Sequence, residues 1–266
     1  MDQQALIARV VEALGPDERV RGLFLSGSFG RGTADQYSDV DLIAFVPTEQ
    51  QDTFVADWRG VLGGIMPIVH YQRLPFAPVL HAISEDWLRC DLQFLAPDQT
   101  QSLTQDRHKP LIDRDGVHQT LAAILPQRPI DGRRLQGLTE EFIRVVGLLP
   151  VGLGRGEIEL IAATGSGMLR RMLADLLVLE MNLPDSGGIL HLSRVIDPAR
   201  MALLAAIPLP QLSAESAIEA NLALARAFIP RAKALYASLG LDWPRAFEAA
   251  TRTHLQQTLP THRIDW

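Results

Sequence analysis

The chain has 266 residues and a mass of 29.3 kDa, with 47% apolar and 21% charged residues and a mean hydropathy of +0.07. This composition is typical of a globular protein with a substantial core, and the length predicts one large domain or two modest ones. Its 25 basic and 31 acidic residues give a net charge of −6, which argues against a long nucleic-acid partner, because phosphate backbones are held mainly by clustered Lys and Arg.

Residue usage excludes several classes of site. Lys109 and Lys233 are the only lysines and neither follows a glycine, so the phosphate-binding loop of P-loop ATPases and kinases is absent. Cys90 is the only cysteine, which excludes an internal disulfide and a Cys-based zinc cluster. Because residues 1–4 are polar and no run of about 18 apolar residues exists, we expect a cytoplasmic protein without a membrane partner.

Strand and helix patterns alternate in the first hundred residues, which predicts a mixed sheet with helices. Short apolar runs and helical spacing predict one helix and five strands, in chain order at residues 3–14, 22–26, 40–46, 67–73, 79–83 and 87–95. A second helix is expected to begin at Thr48, since Thr48 and Gln51 are spaced as a capping box. In the last strand, apolar residues alternate with Arg89, Asp91 and Gln93, so we expect one face against the core and a polar face opposite.

The sequence pattern of the chain changes in its second half. Residues 97–136 contain four prolines among polar residues and predict a connecting segment with a short strand at 111–112 and a turn at 115–116. From about residue 138, helical patterns dominate, at residues 139–149, 156–182, 189–205, 211–239 and 243–257. We therefore predict an α+β fold, in which residues 1–125 carry the sheet and residues 126–266 form a helical bundle.

The segment from Leu25 to Leu42 carries the strongest chemical signal. A strand ends in Gly27-Ser28, a glycine-rich loop with Arg31 follows, and the next strand begins with Asp39 and Asp41. Side chains two apart on a strand share a face, so these carboxylates project together and repel unless a cation such as Mg²⁺ lies between them. Glycine allows close approach to an anion, while a serine hydroxyl and an arginine suit phosphate. The segment therefore predicts a site for a nucleoside triphosphate with Mg²⁺.

This segment resembles the signature of the polymerase-β-like nucleotidyltransferase superfamily. That signature is an apolar residue, Gly, Gly or Ser, a spacer, and then Asp, apolar, Asp or Glu, apolar; Gly27-Ser28 and Asp39-Val40-Asp41-Leu42 match it. The sequences around 31–33 and 108–116 look like the small-molecule branch, the aminoglycoside and lincosamide nucleotidyltransferases. Asp91 matches the third carboxylate that the superfamily has on a later strand.

The resemblance implies an enzyme that moves a nucleoside monophosphate, AMP from ATP, to a hydroxyl of a small molecule such as an aminoglycoside or a lincosamide. It implies a two-metal mechanism in which Asp39 and Asp41 hold two Mg²⁺ ions and Asp91 completes the site, as a metal ligand or as the general base. Glu157 is a second candidate for the base. The sheet domain would be the catalytic domain and the helical domain would bind the acceptor.

The same resemblance implies that Gly27, Ser28 and Arg31 bind the nucleotide. Each candidate also has a plainer reading: Arg31 as a surface arginine, Asp91 as a solvated residue on the outer sheet face, and Glu157 as a first-turn acid that suits the helix dipole. Asp39 and Asp41 have the plainer reading of an ordinary turn and strand-edge pair, against which the Gly27-Ser28 loop counts. Two histidines on predicted strands, His70 and His81, are interpreted as structural.

Two other functions remain open at this point. The chain could be a regulatory or antitoxin-like nucleotidyltransferase that binds or modifies a protein, or an enzyme that acts on the ends of tRNA. The acidic balance and the 6% aromatic content count against the second of these. The sequence leaves the acceptor, the nucleobase and the oligomeric state open.

Overall fold

A computed structural model describes residues 1–183 and 191–266. These residues form two compact units, Met1–Pro126 and Gln127–Trp266. The first contains the sheet and the second is helical, which confirms the α+β fold. The functional roles expected for residues 1–125 and 126–266 stay predictions.

The first unit, which the structure describes completely, holds one six-stranded sheet in the order β3-β4-β5-β2-β1-β6. Its elements in chain order are α1 (Gln3–Leu14), β1 (Gly22–Leu25), α2 (Gly27–Arg31), β2 (Val40–Phe45), a 3-10 turn (Thr48–Gln50), α3 (Gln51–Gly63), β3 (Ile68–Arg73), β4 (Val79–Ser84), β5 (Arg89–Leu95), β6 (Lys109–Asp113) and α4 (Val117–Thr120). β2 and β5 pair in parallel, and every other neighbouring pair is antiparallel.

The register of the three central strands aligns one row of polar residues. Asp41 of β2 lies opposite Asp91 of β5, and Asp91 lies opposite His81 of β4. Side chains alternate between the two faces of a strand, and the row flanks apolar positions that point the other way. His81, Asp91 and Asp41 therefore share one face of the sheet.

Two hydrophobic clusters cover the two sheet faces unequally. The larger cluster joins α1 and α3 to the sheet, with Leu6, Leu42 and Trp58 almost fully buried. A smaller cluster on the opposite face joins Ile43 to Val117 and its neighbours. Burial of one such side chain stabilises the fold by about 1.5–3 kcal/mol, so the larger cluster fixes the sheet that carries the polar row.

The glycine-rich segment after β1 is a short helix, so the expectation of a loop there is wrong. Its first turn is closed by a hydrogen bond from the Gly30 N–H to the Ser26 carbonyl at 2.7 Å. The helix ends at Gly32, whose φ of +71° lies in the left-handed region that favours glycine. A Cβ on Gly30 would lie 2.0 Å from the Arg107 carbonyl oxygen, so close packing explains the glycine.

Two further expectations in the first unit are corrected. Thr48 and Gln51 form no capping box. Residues Thr48–Gln50 form the 3-10 turn, and the side-chain amide of Gln51 donates to the Val46 carbonyl at 3.0 Å. β5 begins at Arg89 rather than at residue 87, because Trp87 occupies a turn with a φ of +62°. The predicted alternation of buried and polar residues within β5 is confirmed.

The described part of the second unit is built from helices. They are α5 (Gly132–Gly147), α6 (Leu149–Gly154), a π-helical segment (Leu160–Gly165), α7 (Ser166–Met181), α8 (Leu192–Val195), α9 (Pro198–Ala206), α10 (Ala214–Ser238) and α11 (Arg245–Thr258). α5 starts earlier than residue 139 because the Asp131 carboxylate caps it, accepting from the Arg133 and Arg134 amides at 2.9 and 3.1 Å. The start expected at 189–190 lies outside the described residues.

Stacked rings of Phe142 from α5 and Phe228 from α10 lie at the centre of this unit. Across residues 1–183 and 191–266, none of the helices combines the length and the hydropathy of a segment that crosses a bilayer.

Candidate active site

Three aspartates converge on the sheet face opposite α1 and α3. Asp41 and Asp91 lie on neighbouring parallel strands, and Asp39 immediately precedes β2. One carboxylate oxygen from each lies within 4.8 Å of the other two. The structure thus brings together the three acidic residues that the sequence singled out.

The electrostatics of this cluster suit a cation. Burial, together with the negative charges of Asp39 and Asp91, raises the pKa of the Asp41 carboxyl to about 6, while Arg31 and Arg89 oppose the shift. Carboxylates so close are stable together only if one is protonated or a cation lies among them. An all-oxygen donor set is what Mg²⁺ prefers, so these residues fit a magnesium site.

The elevated pKa of Asp41 predicts a pH-dependent stability. Since this pKa is about 6 in the folded protein and about 4 in an unfolded chain, the folded state binds the proton more tightly. The free energy of unfolding then falls as pH rises from about 4 to about 6. In EDTA-treated protein, Asp41→Asn should be more stable than wild type by about 1–3 kcal/mol above pH ~7, with no difference near pH ~4. Urea unfolding at both pH values measures this, and equal stability at the higher pH would contradict it.

Two residues outside the aspartate cluster hold its members. The Arg89 guanidinium lies 3.7 Å from Asp39 Oδ2 and donates to the Tyr37 carbonyl at 2.7 Å. His81 Nδ1 lies 2.8 Å from Asp91 Oδ1, so this histidine, interpreted as structural, adjoins the cluster. The alternation in β4 and β5 places both residues on the polar face, but local pattern carries no information about which strands pair.

Gly27 brings the start of α2 directly against the cluster. A Cβ at this position would lie 1.8 Å from Asp41 Oδ2 and 2.7 Å from its Cγ, closer than any side chain could approach. Gly27 also has a φ of +53°, which other residues rarely adopt. The Ser26 N–H donates to the Asp41 carbonyl at 2.9 Å and ties the same two segments together. Glycine is therefore required here by both contact and conformation.

Polar and cationic groups along α2 complement an anion. Ser28 is buried, and its hydroxyl has no hydrogen-bond partner within the described ranges. Arg31 ends α2 and acts electrostatically on Asp41, while Lys109 Nζ lies 3.2 Å from where a Cβ on Gly32 would stand. A buried hydroxyl without a partner is costly unless a ligand satisfies it, so the start of α2, where Ser28 lies, fits a phosphate. Lys109 was not predicted as a site residue.

Glu157 belongs to the second unit. Its N–H donates to the Gly152 carbonyl at 2.9 Å, just before a helical segment, which agrees with the plainer reading as a first-turn acid. It also lines a cavity of about 310 Å³ whose walls include Leu160 and Met168. Its role as the base that accepts the hydroxyl proton stays a prediction.

A family model described as streptomycin adenylyltransferase matches residues 1–258. No curated protein sequence matches. Among solved structures, the crystal structure of an aminoglycoside 6-adenyltransferase from Bacillus subtilis has 16% sequence identity and a TM-score of 0.46, over 96% of this chain and 97% of that chain.

Proposed function

Because this chain belongs to the streptomycin adenylyltransferase family, we propose that it transfers AMP from ATP to a hydroxyl of an aminoglycoside, with Mg²⁺ as the metal. The chain is an adenylyltransferase by family; the metal, the donor nucleotide and the acceptor are the proposed parts. The observation that carries the proposal is the convergence of Asp39, Asp41 and Asp91 beside the buried, unpartnered hydroxyl of Ser28.

The residues at the start of α2 would hold the triphosphate of ATP. The first amides of a helix have no intrahelical acceptor, so those of Gly27 and Ser28 can donate to phosphate oxygens, as can the Ser28 hydroxyl. Arg31 and Lys109 supply positive charge at the other end of this short helix. These four residues would bind phosphate without a P-loop lysine, which agrees with the absence of that loop from the sequence.

Asp39, Asp41 and Asp91 would hold Mg²⁺, two ions if the site follows the superfamily. When bound, the metal neutralises charge on the phosphates and lowers the pKa of the acceptor hydroxyl. The partly buried Asp41 gains from a cation, because burial and its two neighbours disfavour its charged form. Arg89 would keep Asp39 oriented toward the cluster.

The transfer itself is one displacement at phosphorus. The acceptor oxygen bonds to the α-phosphorus of ATP, and the bond from that phosphorus to the oxygen bridging to the β-phosphate breaks. Pyrophosphate leaves with the electron pair of that bond, and the hydroxyl proton passes to a carboxylate. Asp91 is our candidate for this base when its free oxygen faces the acceptor, and Glu157 is the second candidate; a base must come within hydrogen-bond reach of the hydroxyl.

Ser28→Ala tests whether this hydroxyl contacts the nucleotide. If Ser28 donates to a phosphate, we expect KM for ATP to rise about tenfold, as for one lost hydrogen bond to a charged group. Thermal unfolding should show an unchanged or slightly more stable protein, because the substitution removes a buried hydroxyl without a protein partner. An unchanged KM would exclude Ser28 from the triphosphate site.

The proposed reaction is tested with α-³²P-labelled ATP, Mg²⁺ and a panel of acceptors. We expect label on streptomycin or another aminoglycoside, together with release of pyrophosphate. Lincomycin in the panel tests the lincosamide reading, and purified protein without any acceptor tests the reading in which a protein is modified. Label on lincomycin alone, or on protein alone, would contradict an aminoglycoside acceptor.

A further inference from the structure

His81 lies beside Asp91, at the edge of the proposed metal site. Its Nδ1 lies 2.8 Å from Asp91 Oδ1, and the two side chains are 33% and 25% exposed. We propose that His81 is a positioning residue, which fixes the carboxylate of Asp91 so that its second oxygen serves the metal or the acceptor hydroxyl. This inference rests on the proposed function, since it assigns a task within the same site.

The polarity of the contact follows from the chemistry of the two groups. An ionised carboxylate can only accept, so a contact as short as 2.8 Å requires a hydrogen on Nδ1 of His81. Oδ1 of Asp91 thereby faces His81. The second carboxylate oxygen, Oδ2, remains for the metal ion or the acceptor hydroxyl.

Buried residues on either side of the pair hold its backbone in place. His81 lies between Leu80 and Ala82, and Asp91 between Cys90 and Leu92; all four neighbours are almost fully buried. The two residues are directly opposed across β4 and β5. Rotation of the Asp91 side chain is therefore the main motion left, and the close contact with His81 opposes it.

The three aspartates are held by different means. Asp39 has the Arg89 guanidinium beside it, and Asp41 lies against the backbone of Gly27. Across residues 1–183 and 191–266, His81 is the side chain that forms an ion-pair contact with Asp91. Removal of His81 should therefore disturb one of the three carboxylates and leave the others in place.

Outer partners of metal-binding carboxylates typically change metal affinity or activity by about 10–100-fold when they are lost. Two amide substitutions separate positioning from simple space filling. His81→Asn keeps an amide donor near the position of Nδ1, whereas His81→Gln moves the donor outward, toward the position of Nε2. His70→Gln is the matched control, because His70 is an exposed histidine on the adjacent strand β3.

The experiment measures Mn²⁺ binding by electron paramagnetic resonance in the presence of a non-hydrolysable ATP analogue, alongside steady-state kinetics of AMP transfer. For His81→Gln we expect Mn²⁺ affinity to fall about tenfold and kcat about 10–100-fold, with KM for ATP within about twofold of wild type. His81→Asn should recover most of both losses, and His70→Gln should behave as wild type. Urea unfolding of each variant reports whether it is folded.

Two outcomes overturn the inference in distinguishable ways. If His81→Gln is folded and matches wild type in both Mn²⁺ affinity and kcat, while Asp91→Asn is impaired, His81 does not position Asp91 and the proposed function stands. Equal losses in His81→Asn and His81→Gln would also overturn it, because the donor position would not matter. If wild type binds no Mn²⁺ with the nucleotide analogue, the proposed metal site itself fails.

Discussion

Asp41→Asn is expected to abolish most of the AMP transfer, with kcat/KM lower by about 10³-fold, equivalent to about 4 kcal/mol of transition-state stabilisation. The substitution keeps the size of the side chain and removes the charge that lies closest to the start of α2. Asp39→Asn should act in the same direction. Transfer of labelled AMP to the acceptor identified from the panel gives the rates.

The matched control for these variants is Asp52→Asn. Asp52 is an exposed aspartate of α3, on the opposite side of the sheet, and should leave kcat/KM unchanged. Since Asp41→Asn is expected to stabilise the EDTA-treated protein, its loss of activity cannot be assigned to unfolding. Wild-type rates in Asp41→Asn would show that this carboxylate is not needed for the reaction.

Gly27→Ala should damage the site through a single methyl group. The added Cβ would lie 1.8 Å from Asp41 Oδ2, and a φ of +53° is unfavourable for alanine. Asp41 must therefore move, and a displacement of this kind can cost about 10²-fold in rate. We expect kcat/KM to fall about 100-fold and the free energy of unfolding to fall by about 1–3 kcal/mol. Kinetics and urea unfolding measure the two effects.

Gly60→Ala is the control for this substitution. Gly60 lies inside α3, where an added Cβ meets nothing within 4 Å. Alanine in a helix interior should stabilise the protein by about 0.5–1 kcal/mol with unchanged activity. A Gly27→Ala variant with the stability and activity of wild type would contradict the close contact between Gly27 and Asp41.

Local rules placed each aspartate on a polar face, and the resemblance to the nucleotidyltransferase superfamily implied that Asp91 joins Asp39 and Asp41. Asp39 and Asp41 share a face through the period of two, and the alternation within β5 placed Asp91 on a polar face. Those rules do not say which strands become neighbours. The parallel pairing of β2 with β5, and the position of β4 beside β5, follow from packing of residues far apart in the chain. For that reason the sequence did not indicate that His81 adjoins Asp91.

The short helix α2 shows a second limit. Three glycines within Gly27–Gly32 disfavour a helix by propensity, which explains the expectation of a loop. The helix forms because tertiary contacts overrule that preference: Gly30 fits against the Arg107 carbonyl and Gly27 against Asp41. Both contacts join segments whose proximity no local pattern indicates. The phosphate-facing role predicted for Gly27 and Ser28 is compatible with this geometry and stays a prediction.

The most direct test is a crystal structure of the protein with Mn²⁺ and a non-hydrolysable ATP analogue, in which anomalous scattering locates the metal. We expect Mn²⁺ bound by the carboxylates of Asp39, Asp41 and Asp91, and the triphosphate against the amides of Gly27 and Ser28. Mn²⁺ bound away from these carboxylates, or a nucleotide held elsewhere on the chain, would contradict the account.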